Sequence, residues 1–233
     1  MPLGAEDELD QLIRRVDPDR WLTSRFIADN RARTDVLALY AYDYELAHAL
    51  KAASTPLLVE IRLTWWREAL DEIFGERAVR RHPVAEALAD AVGRWGLQRE
   101  PLEAMIDGQI ATLEVAQFDE ASAVAWADAV EAAVAALAAT VLDPAAPGQA
   151  AAPAGRAWGL ALLRRSGRVS DEVLRPPLRR SLAEARAAAS HLSVAAMPAA
   201  LPARLARFDL AGRSPSGFTK RLALVLAAAS GRL

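Results

Sequence analysis

The chain contains no cysteine among its 233 residues, and this absence excludes several kinds of chemistry. Without thiols there are no disulfide bridges, thiolate zinc sites, iron–sulfur clusters or cysteine nucleophiles. Only three histidines occur, His48, His82 and His191, and their separation along the chain argues against a histidine-rich metal site. The twelve glycines form no phosphate-binding loop or nucleophile elbow, so nucleotide-binding and serine-hydrolase motifs are also absent.

Long apolar runs are missing too. No stretch reaches the ~20 uninterrupted apolar residues of a spanning helix, so no transmembrane segment is predicted. The acidic N-terminus lacks the apolar core of a secretory signal, which predicts a cytoplasmic protein, with peripheral attachment to the inner membrane left open. The apolar segment 222–230 lies between Lys220-Arg221 and Arg232. It is interpreted as a closing core helix, with a helix in a membrane interface as the alternative.

Acidic and basic side chains are unevenly distributed along the chain. Residues 1–143 carry 26 acidic and 14 basic side chains, whereas residues 144–233 carry 4 acidic and 14 basic ones. The overall charge of −2 therefore hides an acidic part and a basic part. The basic part is expected to pair with the acidic part, and a diphosphate or acidic lipid headgroups are the alternative partners. No nucleic-acid partner is predicted.

Alanine, leucine, arginine and glutamate dominate, and all four favour helices. The predicted fold is an all-α, single-domain bundle (1–233) of eight to ten helices, with a long loop at 143–153; a domain boundary at that loop is the alternative. Residues 57–65 alternate as in a strand, but they run directly into a helical pattern and are interpreted as helix. The predicted helices are 17–30, 33–52, 57–74, 84–95, 101–115, 119–142, 154–166, 176–193, 201–208 and 216–230.

Several motifs occur in a characteristic order. They are Leu39-Tyr40-Ala41-Tyr42, Arg62-Leu63-Thr64-Trp65-Trp66-Arg67, His82-Pro83, Ile106-Asp107-Gly108 and Ala157-Trp158-Gly159-Leu160. Together they resemble the squalene/phytoene synthase family over about residues 20–185. The resemblance implies the isoprenoid synthase bundle and an enzyme that joins two prenyl diphosphates. It also implies that two helices present paired aspartates, which hold Mg²⁺ against the diphosphate because this hard cation prefers carboxylate oxygens.

The paired aspartates are replaced in this chain. Ala47 and His48 occupy the positions of the first pair, and Arg165 occupies the first position of the second motif. The acidic position expected after Asp107 is also missing, because Thr112 and Leu113 lie there. A cation repels Mg²⁺, so the predicted cofactor is none, and Mg²⁺ would be expected only if the protein were an active transferase.

The candidate ligand-binding residues follow from the resemblance, while no catalytic or metal-binding residue is assigned. They are Tyr40, Asp43, Glu45, Ala47, Arg62, Trp66, Asp107, Arg164 and Arg165. Asp43 and Glu45 are interpreted as partners in ion pairs, for instance with Arg62 or Arg67, and a remaining acidic site is the alternative. Arg164, Arg165 and Arg168 either end a helix facing water or bind phosphate through their guanidinium groups. One of Trp65 and Trp66 is expected in the core and the other in a groove.

Three functions remain open. One is a peripheral membrane or partner-binding module that uses the C-terminal helix. The chain is similar to the bacterial relatives of the mitochondrial complex I assembly factor that has this fold, a branch that also lacks the aspartate motifs. This resemblance implies a non-catalytic lipid-binding or respiratory-complex assembly protein, with an isoprenoid or lipid ligand or a protein partner at the membrane. The alternative is an active head-to-head prenyl-diphosphate transferase with an atypical, arginine-based site.

Overall fold

The computed structural model describes residues 5–52, 55–75, 77–115 and 117–233, and this part of the chain contains helices and no β-strand. The predicted all-α class is therefore confirmed. The helices are α1 (Ala5–Val16), α2 (Pro18–Ser24), α3 (Asn30–Ala52), α4 (Pro56–Phe74), α5 (Pro83–Trp95), α6 (Arg99–Glu114), α7 (Glu120–Leu142), α8 (Ala152–Ser166), α9 (Asp171–Ala188), α10 (Met197–Ala200), α11 (Pro202–Leu210) and α12 (Gly217–Ser230).

Local signals explain where the helices begin. Thr55 caps α4 and accepts a hydrogen bond from the Leu58 amide, while Pro56 occupies the first turn. Pro fits there because its missing N–H would have no helical partner. The segment with strand-like alternation is thus helical, as predicted. Asp119 caps α7 in a capping box with Ser122, which satisfies two amide donors at once.

Several elements differ from the prediction. Helix α2 ends at Ser24 and not at residue 30, α9 ends at Ala188 and not at residue 193, and α10 was not predicted. Helix α1 was not predicted, although Leu9, Leu12, Ile13 and Val16 follow the i, i+3, i+4, i+7 spacing of a buried helical face. Helix α9 begins at Asp171 rather than at residue 176. Pro176 and Pro177 were interpreted as its start, but they lie inside it.

Buried apolar side chains form two clusters. One lies among α1, α3, α4, α5, α6 and the second half of α7; the other lies among the first half of α7 and α8 to α12. Helix α7 contributes to both, and by length and mean hydropathy (1.6) it is the one helix of the described chain that could cross a membrane. Because 61% of its most apolar window is buried against other helices, core packing accounts for this composition.

Many charges of the basic part of the chain pair with the acidic part, as expected. These pairs are Arg165–Asp19, Lys220–Asp19, Arg156–Asp128 and Arg180–Glu120. A group of arginines on α9, α11 and the end of α12 has no such partner and is described below. The predicted loop at 143–153 contains a turn and a short 3₁₀ segment, Gly148–Ala151, before α8 begins at Ala152.

Candidate functional site

A cavity of about 430 Å³ opens between α2, α3, α7 and α8. Its walls include Tyr40, Asp43, Ala47 and Arg165, so four of the predicted ligand-binding residues line one space. The aspartate-motif positions Ala47 and Arg165 thus share this cavity, as the resemblance implies. We therefore treat it as the candidate site.

The most buried cation of the site is Arg20, which sequence reasoning missed. The Asp17 carboxylate caps α2 by accepting the Arg20 amide hydrogen at 2.9 Å, and Pro18 fixes the first turn. This places the Arg20 side chain toward α3 and α7 rather than toward solvent. Only 3% of the residue is exposed.

Arg20 joins the two buried carboxylates of the cavity. One of its terminal nitrogens donates to Asp43 Oδ2 at 2.6 Å, and the other donates to Glu131. Its guanidinium also lies 4.9 Å from the centre of the Tyr40 ring, and its Nε lies 3.8 Å from an Asp17 oxygen. A buried charge is costly unless it is paired and hydrogen-bonded, and here two acids bind one cation.

The pKa values follow from this burial. Burial alone would lower the pKa of Arg20, but the negative charges of Asp43 and Asp17 raise it overall, so the guanidinium stays charged. Burial raises the pKa of Asp17, against the opposing charge of Arg20. Burial also raises the pKa of Tyr40 to about 12. The site therefore combines a charged, desolvated guanidinium with a neutral phenol.

Glu131 reaches Arg20 from an irregular turn in α7. Residues Asp128–Ala132 form a π-helical turn within the longer helix. Two glycines of α8 permit close packing at this turn: a Cβ at Gly159 would lie 2.8 Å from Glu131 Cγ, and one at Gly155 would overlap the Glu131 carbonyl oxygen. Such π turns often occur at functional sites. The close packing that these glycines allow thus places the Glu131 side chain against Arg20.

Arg165 is paired rather than free. Its guanidinium binds both Asp209 oxygens, at 2.8 and 2.7 Å, and donates to Asp19 at 3.1 Å. It also lies 4.6 Å from the Trp158 ring centre, and Lys220 shares Asp19 at 2.6 Å. Bidentate binding fixes the guanidinium plane. This network links α2, α8, α11 and α12 beneath the cavity.

The other arginines near the end of α8 behave differently. Arg164 forms an ion pair with Asp171 at the start of α9 and does not line the cavity. Arg168 lies at the cavity, 5.2 Å from the Phe118 ring centre. Lys51 of α3 lines the same cavity. Within the described residues neither Lys51 nor Arg168 has an acidic partner, so both are available to an anion.

Three predicted residues lie at a second cavity. Glu45, Arg62 and Trp66 line a space of about 380 Å³ between α3 and α4, which His48 also reaches. Trp66 is buried and Trp65 is half-buried, and both line this space.

Asp107 belongs to neither space. It lines a third cavity, of about 310 Å³, beside α7 and forms an ion pair with Arg67. The ion pair expected for Asp43 is present, but its partner is neither Arg62 nor Arg67. Asp43 binds Arg20 instead, because Asp43 and Arg20 both lie at the cavity whereas Arg67 lies beside Asp107.

The resemblance implies a Mg²⁺ ion, and the side chains at the aspartate-motif positions offer it few ligand atoms. Ala47 supplies no ligand atom, and His48 is exposed and stacks on Tyr44, 5.4 Å between ring centres. In the described residues no three or more acidic or histidine side chains gather as metal ligands. The two buried carboxylates, Asp43 and Glu131, are both bonded to Arg20. These residues do not fit a magnesium–diphosphate site, because the guanidinium that lies between the two carboxylates would repel the metal ion.

The arrangement of helices around this cavity defines an isoprenoid synthase bundle. A dehydrosqualene synthase, crystallised in complex with a ligand, superposes with a TM-score of 0.80 at 15% identity, over 97% of this chain and 96% of the other. The squalene synthase HpnC from Alicyclobacillus acidocaldarius superposes with a TM-score of 0.67 at 15% identity, over 98% and 94% of the chains. A comparison with curated proteins finds no match.

The model of the squalene/phytoene synthase family matches residues 13–166. The chain therefore belongs to the squalene/phytoene synthase family. The match ends at the last residue of α8, so it includes Arg20, Asp43, Glu131 and Arg165.

Two central residues were missed by sequence reasoning, for different reasons. Glu131 carried a signal, since it is a lone charge within the alanine-rich stretch AVEAAVAALAA, and a charge that lies among apolar residues requires a partner. Arg20 carried none, because an arginine in the first turn of a short helix normally faces water.

Proposed function

We propose that this protein is a non-catalytic member of the squalene/phytoene synthase family, in which the helical bundle is kept and prenyl transfer is lost. The observation that carries the proposal is Arg20, buried between Asp43 and Glu131 in the candidate site. The resemblance to the branch of the complex I assembly factor, together with Ala47 and Arg165 at the metal positions, supports the same assignment.

Electrostatics explains why a buried arginine opposes the family chemistry. Two unit charges 4 Å apart interact by about 4 kcal/mol at an effective dielectric of 20, and a divalent ion doubles this value. A Mg²⁺ ion in this cavity would meet the charge of Arg20 and would compete with it for Asp43 and Glu131. Without Mg²⁺, a departing diphosphate lacks the divalent counterion on which the family chemistry depends.

The retained cavity supports a binding role. Leu50, Trp126 and Leu162 supply apolar wall, and the unpaired cations Lys51 and Arg168 lie on the same cavity. We propose an isoprenoid or lipid ligand with an anionic head, whose chain contacts the apolar wall. The biological role would be lipid binding or assembly of a respiratory complex, at the inner face of a membrane and with no metal cofactor.

Product analysis tests the loss of catalysis. The purified protein is incubated with Mg²⁺ and radiolabelled farnesyl or geranylgeranyl diphosphate, beside an active dehydrosqualene synthase as positive control. We expect no squalene, phytoene or cyclopropyl intermediate from this protein. Formation of any of these products above the no-enzyme blank would refute the proposal.

The second candidate function is a prenyl-diphosphate transferase with an arginine-based site. Lys51 and Arg168 favour it, because two unpaired cations could receive a diphosphate without metal. The variant Lys51→Gln/Arg168→Gln is compared with Arg15→Gln/Arg31→Gln, which removes two exposed cations elsewhere. Product formation by the wild-type protein without Mg²⁺, lost only in the first variant, would establish this function in place of the first.

A further inference from the structure

Four arginines converge on one groove beside α9, α11 and the end of α12. Arg186 of α9, Arg204 and Arg207 of α11, and Arg232 after α12 line a groove of about 690 Å³. No acidic side chain within the described residues forms an ion pair with any of them. The groove lies outside the residues matched by the family model, which end at Ser166.

The nearby acids are already engaged. Glu184 of α9 binds Arg156, and Asp209 of α11 binds Arg165. Helix α12 contains no acidic residue. Within the described chain the groove arginines form one side-chain hydrogen bond, in which Arg207 donates to a main-chain oxygen of Leu233 at 3.4 Å.

The arginines of the groove also have few hydrogen-bond partners there. The Nε of Arg204 is buried and has no hydrogen-bond partner. Burial lowers the pKa of Arg207, and the charges of Arg204 and Arg186 lower it further. Four like charges held close together favour the binding of an anion.

The outer face of α12 continues this groove as an apolar stripe. Phe218, Leu222, Val225 and Leu226 are 74%, 49%, 51% and 56% exposed, and their i, i+4, i+7, i+8 spacing places them on one face. Leu226 also lines the arginine groove. The opposite face of α12 is buried through Ala223, Leu224 and Ala227.

Arg221 is exposed and lies on the other side of the stripe from the groove, so cations flank the apolar residues on both sides. This pattern is typical of a helix that lies in the plane of a bilayer interface. A 14-residue helix is about 21 Å long, too short to span a membrane.

We propose that the outer face of α12 and the groove of Arg186, Arg204, Arg207 and Arg232 dock on an anionic lipid bilayer. The apolar stripe enters the acyl boundary, and the arginines bind the phosphates of acidic headgroups. This inference deepens the peripheral location proposed above by assigning it a surface and a lipid charge, and it is independent of the chemistry in the Arg20 cavity.

Vesicle flotation of the full-length protein tests the surface. We expect binding to vesicles of phosphatidylcholine mixed with phosphatidylglycerol, little binding to phosphatidylcholine alone, and release by high salt. Each arginine near an anionic surface contributes about fivefold to affinity, so Arg186→Gln/Arg232→Gln should weaken binding on the order of 25-fold. Phe218→Ser/Leu222→Ser should weaken it as well.

Matched controls carry equal changes elsewhere. Leu57→Ser/Ile61→Ser alters two residues of α4 that are 64% and 56% exposed, and Arg15→Gln/Arg31→Gln removes two exposed charges. Both controls should bind as the wild-type protein does. Circular dichroism checks that every variant is folded. We expect folding in each case, because the altered side chains are exposed.

The possible results of these experiments distinguish the docking surface from the peripheral location. If the wild-type protein binds acidic vesicles and the α12 and groove variants bind equally well, this surface is refuted while the peripheral location stands. If the wild-type protein binds no vesicle, both the surface and the location are refuted. A third outcome is that the wild-type protein is a dimer that binds no vesicle and that Phe218→Ser/Leu222→Ser dissociates this dimer. In that case a second copy covers this face and the inference is wrong. None of these results bears on prenyl transfer.

Discussion

Replacing Arg20 by glutamine perturbs the candidate site most directly. The variant keeps a hydrogen-bonding side chain, although a shorter one, and removes the charge that Asp43 and Glu131 share. Both carboxylates are then buried without a cation, at 7% and 2% exposure. Removing one partner of a buried ion pair costs about 3–5 kcal/mol, because the charge left behind stays desolvated. We expect a loss of that size in the free energy of unfolding.

The loss should depend on pH in a defined direction. Unpaired buried carboxylates have a higher pKa in the folded state than in the unfolded state, so the folded variant binds more protons. Stability then rises as pH falls through the raised folded-state pKa values. The deficit of Arg20→Gln relative to the wild-type protein should therefore be smaller at pH 5 than at pH 8. The second change Glu131→Gln should recover part of it at pH 8.

Urea unfolding followed by circular dichroism measures these differences. Arg67→Gln is the matched control, since it breaks the Arg67–Asp107 pair, whose side chains are 39% and 62% exposed. Exposed pairs contribute at most about 1 kcal/mol, so this variant should lose little. An Arg20→Gln loss no greater than that of Arg67→Gln, or a deficit that does not change with pH, would refute the buried ion-pair cluster.

The remaining predictions concern packing and the phenol of the site. Gly159→Ala should destabilise the protein by about 1–3 kcal/mol in urea unfolding, because the new Cβ meets Glu131; an unchanged midpoint would show that the π turn can shift freely. Tyr40 should ionise near pH 12, which its absorbance at 295 nm measures. The free energy of unfolding should fall between pH 10 and 12, because the pKa of Tyr40 is higher in the folded state than in the unfolded state. Ionisation of Tyr40 at pH 10 would contradict its burial. Trp66→Ala should lower the free energy of unfolding by about 3–5 kcal/mol, which is more than Trp65→Ala should lower it, because Trp66 is buried. Equal losses from the two variants would contradict the deeper burial of Trp66.

Helical periodicity was sufficient to predict most of the fold. Regular apolar spacing and proline or aspartate at the helix starts located α3 to α8, because these signals act within a few residues. The prediction failed where a local signal conflicted with tertiary context. Pro176-Pro177 resembled a helix start, yet Ser170 precedes the first turn and Asp171 and Glu172 occupy it, so α9 begins earlier.

The candidate site was only partly predictable, because its contacts join distant parts of the chain. The motif positions Tyr40, Asp43, Ala47 and Arg165 do line one cavity. Their partners could not be found by spacing, since Arg20 is 23 residues from Asp43 and 111 from Glu131. Pairing at such separation depends on how helices pack, which no local pattern encodes. The substitutions at the metal positions were visible in the sequence, whereas the arginine between the two acids required the structure.

Calorimetric titration with inorganic diphosphate, with and without Mg²⁺, tests the central claim most directly. If Arg20 holds the cavity carboxylates, Mg²⁺ should not strengthen diphosphate binding to the wild-type protein. A tenfold or greater increase in affinity on adding Mg²⁺ would show that the metal binds in the cavity despite the arginine, and would contradict the account.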